Sequence, residues 1–159
     1  MRPVLCLLML VSYGVHAQSA PDPFEMTQRI AENGAPQLAL ARVEQMQPAA
    51  ATAPGWTDWE QLRCVLLGRL MRSDELAKRV AALPSGVPEP AVRVCLLQGA
   101  RAAIATGQAV NARKLFARLM WRQGLSADEM RHARALVIES YLAEQQPQNA
   151  FALMLRYEL

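Results

Sequence analysis

LLQGARAAIATGQAVNARKLFARLM, residues 96–120, decides the fold. Ahead of Gly107, the apolar residues Val92, Leu96, Ala100 and Ala103 recur every three or four positions, which places them on one face of a helix. Behind Gly107, Ala112, Phe116 and Leu119 repeat the pattern. Glycine tolerates the left-handed conformation that ends a helix, so Gly107 marks a stop and a restart. The stretch reads as two helices folded back on each other.

The same outline recurs on both sides. Gly34, Ser73, Gly107 and Gln145 stand at turns separated by 39, 34 and 38 residues. Each is followed four or five residues later by a small side chain: Ala39, Ala77, Ala112 and Ala150. Four positions on come Val43, Ala81, Phe116 and Met154, then Met46, Pro84, Leu119 and Tyr157. The helix before each turn has its own stripe, as in Met130, Ala133, Val137 and Tyr141, or the broader Leu66, Leu67, Gly68 and Leu70. A single hairpin cannot bury such a face alone, but a stack of hairpins can.

Helix boundaries are marked independently. Asp22-Pro23 is a cap followed by proline in the first turn, and Pro36 opens the next helix. Thr57 with Glu60, and Ser126 with Glu129, have the spacing of a capping box, and Ser73 is a candidate cap for 74–83. Ala49 to Gly55 and Pro84 to Pro90 read as loops. No stretch alternates apolar and polar residues as a strand does. The expectation is an all-α chain of about four antiparallel hairpins, spanning roughly 22–48, 57–83, 88–122 and 126–159.

Gly107, Ala112, Phe116 and Leu119, together with Val137, Tyr141 and Ala150, the Leu67-Gly68 pair, and Gly34 with Ala39, resemble the tetratricopeptide repeat (TPR) family. The resemblance covers nearly all of residues 18–159. It implies a TPR-like α-solenoid whose first helices line a concave groove, where extended peptides bind. On the spacing above, Arg69 and Arg101 take equivalent groove positions, with Glu139 in the next unit and Arg72 one turn beyond Arg69. Leu62, Val65 and Leu97 would supply an apolar floor. Arginines of this kind accept carboxylates through paired hydrogen bonds.

Composition narrows the class. The 159 residues are 52% hydrophobic and 19% charged, with 8 Gly and 10 Pro, which excludes collagenous and disordered chains. Residues 1–17 read as a secretory signal peptide: Arg2, an apolar run from Val4 to Val11, and small residues at Val15 and Ala17. That run is shorter than the roughly 20 residues needed to span a bilayer. Export, with a bacterial periplasmic destination, is therefore expected. Cleavage leaves 16 basic against 14 acidic residues in 18–159, too even a balance to point to nucleic acid.

Little in residues 18–159 supplies catalysis, and no enzyme activity or cofactor is expected. His132 is the one histidine there, and no phosphate loop or dinucleotide fingerprint occurs. Asp74-Glu75 and Asp128-Glu129 sit in first helical turns, where they complement the helix dipole. Cys64 and Cys95 match no zinc spacing, so no metal is expected; they read as a disulfide or as two buried thiols. Trp56, Trp59 and Trp121 read as covers for hairpin ends or as anchors that stack on sugars or peptides. The functional expectation is a non-catalytic scaffold or adaptor for a peptide segment or envelope protein. The alternative is an accessory helical arm of a larger cell-envelope enzyme, such as a peptidoglycan lytic transglycosylase. Met154, Leu155 and Tyr157 leave an apolar C-terminal helix, expected to be covered by a partner or by self-association, or to mark a sequence truncated from a longer protein such as that enzyme.

Overall fold

The computed structural model describes residues 22–158. Residues 1–17, read above as a signal peptide, lie outside them. The described residues form eight helices and no strand: α1 (Pro23–Glu32), α2 (Pro36–Met46), α3 (Trp56–Arg69), α4 (Ser73–Ala81), α5 (Glu89–Ala105), α6 (Ala109–Met120), α7 (Ala127–Ala143) and α8 (Pro147–Tyr157). Each helix packs on the next, and α1, α3, α5 and α7 also touch one another in order. The even-numbered helices make no such contacts. Odd-numbered helices therefore form an inner row and even-numbered helices an outer one.

Four turns of one geometry produce this order. Gly34, Met71, Gly107 and Gln145 each adopt positive φ (86°, 55°, 76° and 58°). At each, that residue's N–H and the next residue's N–H bond back to carbonyls three and five positions earlier, as in Gly107 to Ile104 (3.0 Å) and Gln108 to Ala103 (2.7 Å). This pairing satisfies the orphan carbonyls of the preceding helix and aims the chain into the next one. The turn residues are spaced 37, 36 and 38 apart, more evenly than the sequence suggests.

Ser73 was expected to be the second turn residue and a cap; it is neither. Met71 takes the left-handed position, Arg72 stands at the N-cap, and Ser73 is the first helical residue with no capping bond. The stripe of the second unit shifts by one residue accordingly, from Ala77, Ala81 and Pro84 to Leu76, Val80 and Leu83. Leu76 and Val80 are buried, whereas Ala77 is exposed. Ala39, Leu76, Ala112 and Ala150 now occupy one equivalent, fully packed position. One residue further along the stripe, Val43, Val80 and Phe116 are covered, but Met154 is open.

The Thr57–Glu60 capping box does not form either. Gly55 holds the N-cap of α3 at φ 76°, and Glu60 turns into the core. Asp22 and the Ser126–Glu129 box cap as expected. Trp56 and Trp59 cover the core, the latter edge-on to Phe24 at 5.2 Å. Trp121 does not: it is 89% exposed, because the end of α6 carries it outward.

Candidate functional site

The inner row carries three adjoining cavities. The largest, about 510 Å³, is lined by Val65 and Arg69 of α3, Gln98 and Arg101 of α5, and Leu136 and Glu139 of α7. A second, about 290 Å³, shares Val65 and Arg69 and extends over Phe24, Ala31 and Leu62. A third, about 260 Å³, joins the second through Gln61 and Val94 and contains Leu97, Glu129 and His132. Shared walls make the three one continuous surface along α1, α3, α5 and α7.

Helical spacing explains why these side chains converge. Gln61, Val65 and Arg69 follow one another every fourth residue on α3, and Val94, Leu97 and Arg101 fall on one face of α5. Gln61, Val94, Gln98 and Leu136 were missed from sequence, although each lies three or four residues from a residue that was named. Period-matched neighbours of Val65, Leu97, Arg101 and Glu139 include all four.

Six of the seven expected groove residues lie on this surface, but their relations differ from expectation. Counted back from the turn residues, Arg101 and Glu139 both stand six positions before the turn, and so does Val65; Arg69 stands only two before. Arg69 and Arg101 are thus one helical turn apart in position: a turn at Ser73 would already leave them two residues out of step, and the turn at Met71 widens the offset to four. Leu62 and Leu97 floor the neighbouring cavities, while Val65 alone of the three lies under Arg69 and Arg101. Arg72 is not part of the surface: it turns outward and pairs with both carboxylate oxygens of Glu75. Among the described residues, Arg69, Arg101 and Glu139 form no ion pair, and Arg69 Nη1 reaches only the Ala31 carbonyl at 3.5 Å.

Beneath this surface Cys64 and Cys95 are bonded to each other, with Cα atoms 5.1 Å apart and both side chains fully buried. The bridge ties α3 to α5. Cys64 stands seven positions before its turn and Cys95 twelve, so the two are not equivalent in their units.

Glu60 lies against this bridge, its Oε1 3.9 Å from Cys64 Sγ. The carboxylate is completely buried and accepts from Arg79 Nε (2.6 Å), Arg79 Nη2, and Gln47 Nε2 (2.7 Å). Those hydrogen bonds to Glu60 raise the Arg79 pKa above its ordinary value. Burial, reinforced by the charge of Arg79, lowers that of Arg63. Glu60, Cys64 and Cys95 stand close enough to ligate a metal, but both sulfurs are spent on each other and both carboxylate oxygens on hydrogen bonds. This donor set does not fit an ion.

His132 lies exposed at the rim of the third cavity. Its neighbours there are committed: Glu129 accepts the Ser126 N–H at 2.7 Å, and Arg93 donates to the Gly124 carbonyl at 2.5 Å. Asp128 pairs with Arg131 and Glu75 with Arg72, so the acidic pairs serve their own helix starts. No helix of the described residues is long and apolar enough to cross a membrane. Compared with family models, curated proteins and solved structures, the chain matches none.

Proposed function

We propose that this protein is an exported, non-catalytic adaptor, in which a TPR-like row of four hairpins holds an extended peptide segment of an envelope protein along its inner face. One observation carries the reading: the continuous surface on α1, α3, α5 and α7 sets Arg69, Arg101 and Glu139, none of them ion-paired, above apolar side chains. An extended peptide presents backbone and alternating side chains over such a length, and the Arg69 and Arg101 guanidinium groups can donate hydrogen bonds to its carboxylates. The near-even turn spacing and the contacts among odd-numbered helices support the TPR-like reading. The leader-like residues 1–17 and the disulfide support a periplasmic location.

The experiment is affinity capture from bacterial envelope extract with residues 18–159, alongside Arg69→Glu/Arg101→Glu. A partner recovered by the wild type and lost by the variant is expected. A partner retained by both overturns the groove as its site.

A second reading, an accessory arm of a larger envelope enzyme, is favoured by the apolar face of α8, where Phe151 and Leu155 are 61% and 66% exposed. It expects capture of a peptidoglycan-cleaving enzyme that Phe151→Glu/Leu155→Glu abolishes and Arg69→Glu/Arg101→Glu leaves intact.

A further inference from the structure

The overall charge of residues 18–159 is nearly balanced, yet α6 is not. From Ala109 to Arg122 the chain contains Arg113, Lys114, Arg118 and Arg122 and no acidic residue. Arg113 is paired with Glu144 and Arg122 with Glu89. Lys114 and Arg118 are exposed and form no ion pair among the described residues. Val110, Lys114, Arg118 and Trp121 fall at steps of four, four and three residues, hence on one face of the helix. Trp121 keeps helical backbone angles at the C-cap, so its ring continues that face. Val110 is 51% exposed and Trp121 89%.

Beside the stripe, between α4 and α6, lies a cleft of about 330 Å³. Lys114, Arg118, Gln108 and Asn111 line it above Val80 and Leu115, and no carboxylate does. The cleft follows from the fold: even-numbered helices do not touch, so the outer row opens between them.

We propose that this face of α6 docks on the anionic phospholipid headgroups of a bilayer. Cations near such a surface are attracted to it, and a tryptophan beside them sits well at the boundary between headgroups and acyl chains. The stripe belongs to the outer row, and an outward-facing helix touches a flat, deformable surface along its length. An acidic protein partner is the competing occupant, which polyglutamate stands in for in the test below. The site is separate from the inner surface, and α6 contributes no side chain to the large cavity there.

The test is sedimentation of residues 18–159 with vesicles of phosphatidylcholine carrying about 30% phosphatidylglycerol, against vesicles of phosphatidylcholine alone. Binding to the anionic vesicles only is expected, weakened at about 0.5 M salt. Lys114→Glu/Arg118→Glu is expected to lower partitioning at least about tenfold. Tryptophan emission is expected to shift to the blue with anionic vesicles in the wild type and not in Trp121→Ser, since Trp56 and Trp59 are already buried. All three substituted side chains are on the surface, and circular dichroism checks that the variants fold. Absence of binding to anionic vesicles, equal binding by the charge-reversed variant, or capture of polyglutamate but not vesicles overturns the proposal.

Discussion

Arg79 of α4 grips both carboxylate oxygens of Glu60 of α3, and Gln47, just past α2, donates to the same group. One buried carboxylate thus ties three successive helices together. Arg79 keeps 32% of its side chain exposed while that of Glu60 has none, so the two partners are unequal. Arg79→Met would strand a charge with no access to water, with an expected loss of about 3–5 kcal/mol in urea unfolding. Glu60→Leu/Arg79→Met is expected to recover most of that, because an apolar pair of similar volume carries no desolvation cost. A near-neutral Arg79→Met would show that the ion pair does not hold the hairpin.

The Cys64–Cys95 bridge closes a loop with a sequence separation of 31, which limits the freedom of the unfolded chain. Cys64→Ala/Cys95→Ala is expected to lose about 2–4 kcal/mol. Both sulfurs are buried and the Glu60 carboxylate lies beside one of them, which opposes formation of an attacking or leaving thiolate. Thiol titration after mild reductant is therefore expected to detect two thiols only when denaturant is also present. Rapid reduction of the native protein would contradict this.

At the α7–α8 turn, Gln145 carries a side chain at φ 58°, a conformation that costs a non-glycine residue energy. Gln145→Gly is expected to stabilise by about 1 kcal/mol, raising Tm by a few degrees. Gly107→Ala at the equivalent turn is expected to move Tm the opposite way, and open space around Gly107 removes steric clash as an explanation. Changes of the same sign would refute the equivalence of the two turns.

The α7 start is a pH-dependent element. Ser126 N–H donates to Glu129, whose own N–H donates back to Ser126 Oγ at 3.1 Å. The Ser126 backbone hydrogen bond, then that of its side chain, lowers the Glu129 pKa below the ordinary 4.5. A carboxyl depressed in the folded state stabilises above its unfolded pKa, and loses that contribution as pH falls through the folded value. Glu129→Gln is expected to be less stable than wild type at neutral pH, and the difference is expected to vanish in acid. A difference independent of pH would assign the effect to something other than the charge. Ser126→Ala is expected to cost about 1 kcal/mol.

Local chemistry was legible in the sequence wherever it was also local in the structure. Asp22-Pro23, Pro36 and Ser126 with Glu129 act within a single helical turn, and each stands where its residue type placed it. Met71 was not legible, since nothing in a methionine announces positive φ; what the conformation gains is the pair of hydrogen bonds from the Met71 and Arg72 N–H groups back to Gly68 and Leu67. That one miss shifted the second unit and widened the offset between Arg69 and Arg101 from two residues to four. Glu60 misled for the opposite reason. Its spacing from Thr57 fits a cap, but its partner is Arg79, 19 residues away and across a turn. Val65, Arg69, Arg101 and Glu139 line one cavity; helical period relates Val65 to Arg69, while the packing of α3, α5 and α7 brings Arg101 and Glu139 beside them.

A row of helices joined in series flexes like a leaf spring, each joint giving a small angle. Cys64 and Cys95 sit at unlike heights on α3 and α5, so the clamp they form suits this one joint and has no counterpart elsewhere in the row. α1 packs against α3, and α7 against α5, without a covalent link between them. The covalent restraint therefore falls at mid-span, beside Val65, and nowhere else in the row. Separation of α3 from α5 is thus limited by a covalent bond, whereas separation of α1 from α3 or of α5 from α7 is limited by non-covalent contacts.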